Sequence, residues 1–278
     1  MLESRKIEFL LLGSTTRVEK FPTGSKTIHR LDLDLVREFA PTHVVDFAFL
    51  TRERLGKFPL EHYVAANRRL IKEANTLLSI PSVKTFLSTS SGAAVHQIKK
   101  DDLSLSSNPY GYLKRESELS IMSHAKASGV SLAIARPWSV TGEFVTKVEG
   151  FAFSQMISSA LRTRTINILS KRRVYRKYVD LEDFLEVCLT LAGEEGSSRI
   201  IDSGGELVDL VELSERVSQV LGFEITVNHS VDDSLEPDSY FSDGTSWDEG
   251  CRQLDYFPLN LESQIEKVTR ALLIRETD

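Results

Sequence analysis

The sequence is poor in cysteine and has no long apolar run. Its two cysteines, Cys188 and Cys251, are too few for a disulfide framework, and its six histidines show no metal-ligand spacing with them. The apolar segment at residues 7–13 is too short to span a membrane, and no small-residue cleavage site follows it. We therefore expect a reduced, cytoplasmic protein with no bound metal and no membrane partner.

An excess of positive charge is also missing. The net charge is −6 and the pI is about 5.6, which argue against a nucleic-acid partner. A basic cluster at residues 171–177 predicts a solvated loop or a contact with a phosphate. With 278 residues, 41% of them hydrophobic and 27% charged, the chain has the composition of a globular protein. That length accommodates one large domain, or a main domain with a smaller lobe.

Short apolar runs alternate with helical periodicity over the first two-thirds of the chain. We expect strands at residues 7–13, 26–33, 43–50, 83–91 and 130–140, and helices at residues 34–40, 61–80 and 109–127. The strand at residues 43–50 is nearly all apolar, so we expect it to be buried. Strands that alternate with helices favour a parallel sheet covered on both faces, with ligands bound beyond the carboxyl ends of the strands.

The pattern becomes looser after about Gly142. Helical segments there alternate with shorter strands, which predicts a smaller lobe packed at the carboxyl edge of the sheet. Residues 230–250 form the most polar segment, and we expect a long surface loop there.

The segment "NPYGYLKRESEL" carries a tyrosine and a lysine one helical turn apart. Asn108-Pro109 is a helix-start signal, so Tyr110 and Lys114 share a helix face while Tyr112 points elsewhere. A neighbouring ammonium stabilises phenolate and lowers the pKa of a tyrosine from about 10, which suits acid/base catalysis. Taken alone, however, this pattern is more typical of an ordinary surface helix.

The order of the motifs along the chain favours the catalytic interpretation. "FLSTSSGAAVH" ends a strand with a serine cluster, and the helix with Tyr110 follows about twenty residues later. "ARPWSVTG", "YRKYVDLEDF" and "IIDSGGELVDLVEL" then come in that order. From about Lys26 to its C-terminus, the chain resembles the extended short-chain dehydrogenase/reductase family, the NAD-dependent epimerases and dehydratases that act mostly on nucleotide-sugars.

The resemblance implies an α/β fold with a doubly wound, Rossmann-like parallel sheet and a smaller C-terminal substrate lobe. It places a dinucleotide-binding domain at residues 1–142, including the strand at 130–140. Residues 143–278 then form mainly the substrate lobe, with residues 174–200 returning to the main domain.

The resemblance also implies roles for individual residues. Tyr110 is the expected acid/base, and Lys114 is expected to lower its pKa and to bond the nicotinamide ribose. Ser91 is expected to hold the substrate oxygen, with Ser90 as the alternate because one extra alanine blurs the register.

The remaining candidates line the cofactor and the substrate. The expected cofactor-binding residues, besides Tyr110 and Lys114, are Asp32, Ala48, Leu50, Asn67 and Pro137. Ser139 and Arg176 are expected near the substrate, Arg176 at the diphosphate of a nucleotide-sugar. Asp183 ends the same motif as Arg176 and is expected to be structural. For Asn67 a helix-packing hydrogen bond is the favoured alternative, and for Arg176 a surface salt bridge with Glu182 or Asp183 is equally plausible.

The sequence departs from the family at the glycine-rich turn that meets the cofactor pyrophosphate. Near its start it has only Gly13 and Gly24. In one interpretation residues 7–13 are the family's second strand, the next strand is its third, and the first strand with its turn and helix is missing. In the other, residues 7–13 are a degenerate first strand and the following unit is missing. The sheet is therefore expected to be N-terminally incomplete, with weak or lost NAD(P) binding.

The function implied is an NAD- or NADP-dependent epimerase or dehydratase of a nucleotide-sugar, and hence an isomerase or lyase that works by transient hydride transfer. A simple NAD(P)-dependent reductase, an oxidoreductase on the same scaffold, is the near alternative. A non-catalytic binding or regulatory relative that has lost the cofactor cradle is the rival from another class. The expected partner is a nucleotide-sugar or another small molecule, and a homodimer is left open.

Overall fold

The computed structural model describes residues 6–21, 23–96, 103–145 and 147–277. The strands are β1 (Leu11–Gly13), β2 (Arg17–Phe21), β3 (Gly24–Arg30), β4 (His43–Asp46), β5 (Thr85–Thr89), β6 (Ser131–Arg136), β7 (Ser139–Thr141), β8 (Thr165–Ile168), β9 (Val174–Asp180), β10 (Ser198–Asp202), β11 (Glu206–Asp209), β12 (Thr226–His229) and β13 (Asp238–Ser239). The helices are α1 (Leu33–Phe39), α2 (Leu60–Leu78), α3 (Ala93–His96), α4 (Pro109–Ser128), α5 (Ala152–Thr163), α6 (Leu181–Ala192), α7 (Leu210–Leu221), α8 (Thr245–Gln253) and α9 (Leu261–Thr277).

The central sheet has the strand order β10-β6-β5-β4, and all its strands are parallel. Every residue of β6 is buried, as expected for a strand covered on both faces. Helices α2 and α4 pack on one face, and α6 packs on the other. The fold is therefore the α/β, Rossmann-like parallel architecture that the alternation of strands and helices predicts.

The first three strands form a sheet of their own, in the order β1-β3-β2. Strands β1 and β3 are parallel, and β2 is inserted between them in sequence as a hairpin with β3 that the sequence analysis did not anticipate. Leu10 and Leu12 pack into the same apolar cluster as Phe86 of β5, so the two sheets share one core. Strand β1 pairs with β3 and not with β4, so it does not take the place of a first strand within the central sheet.

Strand β4 lies at the edge of the central sheet. Among the described residues its only strand partner is β5. Val45 is 36% exposed and Phe47 is 59% exposed, so the expectation of a buried strand at residues 43–50 is wrong. The apolar composition of this segment predicted burial. Composition alone does not show that β4 lies at the edge of the sheet and that one of its faces has no covering element.

The C-terminal part builds two further sheets. Strands β11, β9 and β13 are hydrogen-bonded in that order and β7 also pairs with β9, while β12 pairs with β8. Helices α5, α7 and α9 enclose a second apolar core with these strands. Of the segment expected to return to the main domain, β10 is a strand of the central sheet and α6 packs on it, whereas β9 belongs to the sheet of the lobe.

The polar segment at residues 230–250 is more ordered than a surface loop. It contains β13, which pairs with the start of β9, and most of α8. Trp247 of α8 is 3% exposed and packs against Phe184 in the core between α6 and the central sheet. In the part of the chain that the structure describes, no helix is long and apolar enough to span a membrane.

Candidate active site

Helix α4 begins where the sequence predicts it. The Asn108 side chain caps the helix by accepting from the Gly111 N–H at 3.0 Å, and Pro109 occupies the first turn. A Cβ on Gly111 would lie 2.4 Å from the Ala93 carbonyl oxygen, so only glycine allows α3 to approach α4 this closely. This contact holds the first turn of α4, with Tyr110, against the loop that follows β5.

The structure brings Ser91 and Tyr110 together at the carboxyl end of β5. Ser91 is 8% exposed, and its hydroxyl lies on the same side of the site as the Tyr110 phenol. Burial raises the pKa of Tyr110, although the nearby Ser91 hydroxyl acts in the opposite direction. Burial has the largest effect on this pKa, and the expectation that Lys114 lowers it stays a prediction.

Lys114 lies one turn along α4 and is almost fully buried. Its Nζ donates to the Thr89 carbonyl oxygen at 2.7 Å and lies 3.9 Å from the centroid of the Phe49 ring. Burial lowers the pKa of Lys114 to about 8, partly opposed by the Asp46 and Glu118 carboxylates. The ammonium is thus held by a backbone oxygen and covered by an aromatic face.

Phe49 connects the two residues of the predicted pair. Its ring also contacts the Tyr110 ring edge to face, with centroids 6.0 Å apart and an interplanar angle of 79°. The ring therefore contacts both the tyrosine and the ammonium that the resemblance assigns to the cofactor ribose.

Ser90, the alternate candidate, belongs to a buried ionic network. Its hydroxyl donates to a Glu118 carboxylate oxygen at 2.5 Å, and Arg136 binds both oxygens of that carboxylate at 2.6 and 2.7 Å. Arg115 adds a bond at 3.0 Å, and these interactions hold the pKa of Glu118 below its usual range despite its burial. Ser90 thus ties β5 to α4 and β6, and Ser91 is the serine beside Tyr110.

The other residues expected to line the cofactor have partners within the protein. Asp32 caps α1 by accepting from the Asp34 and Leu35 N–H groups. Asn67, fully buried in α2, accepts from the Leu50 N–H at 2.8 Å, which matches the packing alternative for this residue. The Ala48 N–H donates to the Asp46 carboxylate at 2.9 Å.

Pro137 and Ser139 lie on the other side of Ser91. The Pro137 carbonyl oxygen accepts from the Gly92 N–H at 3.0 Å, which fixes the residues after β6 beside the loop after β5. Ser139 begins β7 and pairs with Tyr178 of β9.

Arg176 makes a different ion pair from the one expected. Its guanidinium binds the Asp238 carboxylate and the Asp238 carbonyl oxygen, both at 3.0 Å, rather than Glu182 or Asp183. Asp183 instead accepts from the Tyr256 hydroxyl at 2.7 Å and the Leu259 N–H at 2.8 Å. Asp183 therefore has the structural position that the sequence analysis expects, and Arg176 fastens β13 to β9.

An aromatic cluster that the sequence analysis missed lies over Ser91. Tyr240 packs at a tilt on Trp138 with ring centroids 4.9 Å apart and edge to face on His96 at 5.1 Å, and its hydroxyl lies 3.5 Å from Ser91 Oγ. The Trp138 indole N–H donates to Asp202 at 2.7 Å. A Cβ on Gly92 would lie 2.2 Å from the indole, so the loop after β5 accepts this ring only at a glycine.

Several solved structures share this architecture. MoeE5, solved in complex with UDP-glucose and NAD, is 17% identical, with a TM-score of 0.73 over 100% of this chain and 94% of that chain. The NAD-dependent NDP-hexosamine 5,6-dehydratase TunA is 14% identical, with a TM-score of 0.73 over 98% and 91%. The UDP-glucose 4-epimerase from Thermotoga maritima, solved with UDP-glucose, is 18% identical, with a TM-score of 0.68 over 99% and 93%.

The sequence itself carries a family signature as well. No curated protein matches the chain significantly. The model of the NAD dependent epimerase/dehydratase family, however, matches residues 2–202, which span the central sheet, Ser91, Tyr110 and Lys114. The chain therefore belongs to the NAD-dependent epimerase/dehydratase family.

Proposed function

We propose that this protein is a nucleotide-sugar epimerase or dehydratase in which Tyr110 exchanges a proton with a sugar oxygen held by Ser91. The observation that carries the proposal is that the Ser91 hydroxyl and the Tyr110 phenol come together at the carboxyl end of β5, where Ser91 acts on the pKa of Tyr110. Ligands bind at that edge in open parallel sheets. Membership of the NAD-dependent epimerase/dehydratase family, and neighbours solved with UDP-glucose, support a nucleotide-sugar as substrate.

The cofactor NAD fits this chain at one end only. Tyr110, Lys114 and the backbone at Pro137 surround the place where the reacting ring and its ribose would lie. At the diphosphate end, β1 is followed by the hairpin strand β2 and not by a helix. The described residues therefore offer no glycine turn leading into a helix N-terminus beside β1, which is the usual pyrophosphate cradle.

In this proposal the chain's own residues move one proton. The sugar hydroxyl lies between Ser91 and Tyr110, and the ionised Tyr110 oxygen accepts its proton as the carbon–oxygen single bond becomes a carbonyl. The Ser91 hydroxyl donates to that oxygen throughout, and reprotonation by Tyr110 reverses the step. NAD, when bound, would supply the hydride acceptor for the carbon atom that carries this oxygen.

Lys114 has a positioning role in this scheme. Its ammonium already bonds the Thr89 carbonyl oxygen, which fixes α4 relative to the end of β5. Its remaining donors face the Phe49 ring, so a ribose hydroxyl reaches them only when that ring turns away.

A second candidate function is a non-catalytic binding or regulatory role. The observation that favours it is the Phe49 ring over Lys114, together with the absence of a helix between β1 and β2. In such a protein the ring would close the ribose position permanently, and the pairing of Ser91 with Tyr110 would be a remnant of the family's chemistry.

One experiment separates the two functions. Purified protein is denatured, and the released nucleotide is identified by chromatography. The native protein is then incubated with NAD and UDP-glucose, and the sugar protons are followed by NMR. Conversion of the sugar by the wild type and by Tyr112→Phe, but not by Tyr110→Phe, supports the enzyme. If the protein converts none of a panel of UDP- and dTDP-sugars with either NAD or NADP, the non-catalytic role takes its place.

A further inference from the structure

Tyr240 brings a third hydroxyl to the Ser91–Tyr110 pair from a distant part of the chain. It follows β13 of the C-terminal lobe, and its hydroxyl lies 3.5 Å from Ser91 Oγ. The Ala93 N–H donates to the Ser91 hydroxyl at 3.2 Å and also acts on the pKa of Tyr240. Ser91 is thus flanked by two phenols, Tyr110 from α4 and Tyr240 from the lobe.

The position of Tyr240 is fixed by contacts on several sides. Its N–H donates to the Tyr175 carbonyl oxygen at 3.3 Å, and the ion pair between Arg176 and Asp238 holds the strand that precedes it. Its ring packs against both Trp138 and His96, which also contact each other, and the Arg176 guanidinium lies 5.7 Å from the ring centroid. These contacts aim the hydroxyl of Tyr240 at Ser91.

We propose that Tyr240 is a substrate-binding residue of this site, whose hydroxyl holds with Ser91 the sugar oxygen on which Tyr110 acts. The inference rests on the proposed function, since it names a further contact of the same substrate. It also makes the lobe a part of the acid/base centre. A tyrosine that only filled space would place its hydroxyl in solvent or against a structural partner. Here the Tyr240 oxygen instead lies beside Ser91, whose own hydroxyl accepts from the Ala93 N–H.

Charge around the cluster agrees with this role. Burial raises the pKa of Tyr240, while Ser91, the Ala93 N–H, Arg176 and Arg52 act in the opposite direction. The groups acting on Tyr110 are Ser91, Tyr240 and Arg52, and Tyr63 is coupled to it through space. Tyr240 therefore stays protonated near neutral pH, as a hydrogen-bond donor to a substrate oxygen must.

The test is a double-mutant cycle on ligand binding. UDP-glucose is titrated calorimetrically into the wild type, Ser91→Ala, Tyr240→Phe and the double variant, with Tyr112→Phe as the matched control. Tyr240→Phe keeps the ring and its stacking, so we expect binding to weaken about 3- to 10-fold, the effect of one hydrogen bond. Because both hydroxyls hold one oxygen, the double variant should lose less than the product of the single losses. Equal affinity of Tyr240→Phe and Tyr112→Phe would overturn the inference.

A second readout on the free protein separates this inference from the proposed function. Tyrosine ionisation is followed by absorbance near 295 nm, and the curve of Tyr110→Phe is subtracted to isolate Tyr110. Since Tyr240 raises the pKa of Tyr110, its removal should lower the Tyr110 midpoint. If no nucleotide-sugar binds but the midpoint moves, the nucleotide-sugar function fails and the three-hydroxyl site remains for another hydroxylated ligand. If no nucleotide-sugar binds and the midpoint also stays unchanged, both the nucleotide-sugar function and the role of Tyr240 are rejected.

Discussion

The β5–α4 unit and the N-terminal sheet are the two parts of the chain that a dinucleotide would meet, and they are built in opposite ways. In the first, Lys114, Glu118 and Arg136 are buried with bonded partners. In the second, four of the five residues of β2 are exposed. The acid/base end is thus fixed by interactions between distant residues, whereas the diphosphate end consists of short strands without the helix that would bind an anion.

This difference shows which half of the proposed site is held in place by buried interactions. Buried polar groups are costly unless they are fully bonded, so a satisfied network around Ser90 and Lys114 holds Ser91 and Tyr110 in one arrangement. No comparable constraint acts on the loop between β1 and β2. The predictions below test the contrast, from the largest expected effect to the smallest.

Removing the Tyr110 hydroxyl should have the largest effect. In Tyr110→Phe the ring still packs on Phe49, so the fold should survive, while loss of general acid/base catalysis typically lowers the rate about 10²- to 10⁴-fold. The measurement is sugar conversion by NMR, with circular dichroism to check folding. Tyr112→Phe is the control, because Tyr112 lies toward Arg68 on another side of α4. Loss of activity in Tyr112→Phe with full activity in Tyr110→Phe would invalidate the site.

Breaking the buried network should destabilise the protein far more than breaking an ion pair in the N-terminal part. Glu118→Gln removes the closest carboxylate from buried Arg136 and leaves it the longer contact to Asp202 at 3.5 Å, so we expect a loss of about 3–5 kcal/mol in the free energy of unfolding. Asp34→Asn, which removes the exposed partner of Arg37 in α1, should cost less than about 1 kcal/mol. Urea unfolding of both variants checks the contrast, and similar losses in the two would refute it.

Much of the β5–α4 unit could be predicted from the sequence. The capping asparagine and proline set the start of α4, and the apolar runs set β5 and β6, because these signals are local. The parallel order of the sheet follows from strands that alternate with helices. The roles of Ser91 and Tyr110 come from the resemblance to the family and stay a prediction, although the structure brings the two residues to the same edge of the sheet.

The rest depends on distant parts of the chain that have no local signal. The exposure of β4 is set by what lies beside it, and the raised pKa of Tyr110 follows from burial by several elements. Tyr240 was missed because its polar segment is typical of a loop, although the "SYF" run within it was a usable sign of a buried contact. The β2–β3 hairpin was missed although "PTG" is a turn signal.

NAD binding should be weak, and Phe49 should contribute to the weakness. A pyrophosphate normally gains several N–H bonds and a helix dipole at the glycine turn, which this chain lacks among its described residues. We expect calorimetry to give a dissociation constant above about 1 μM, that is, weaker than about −8 kcal/mol.

Phe49→Ala uncovers Lys114 and should strengthen NAD binding, whereas Phe47→Ala, two residues away and exposed, should not. Sub-micromolar binding by the wild type would contradict the expectation of weak NAD binding. Weaker binding by Phe49→Ala would contradict the role given to the Phe49 ring.

The smallest effect is the pH dependence that buried Lys114 gives to stability. Its pKa is about 8 in the folded protein and near 10.5 when exposed, so between these values the unfolded state binds more protons. Stability should therefore rise as the pH increases from about 8 toward 10, and the contribution should be constant below that window. Urea unfolding at several pH values should show this rise in the wild type and lose it in Lys114→Met, whatever the overall stability of the variant. Tyr110 and Tyr240, with raised pKa values, make stability fall as the pH rises above 10. The comparison of the wild type with Lys114→Met is therefore made below pH 10. An unchanged slope in Lys114→Met would mean that the ammonium reaches water in solution, and that the Phe49 ring does not cover it.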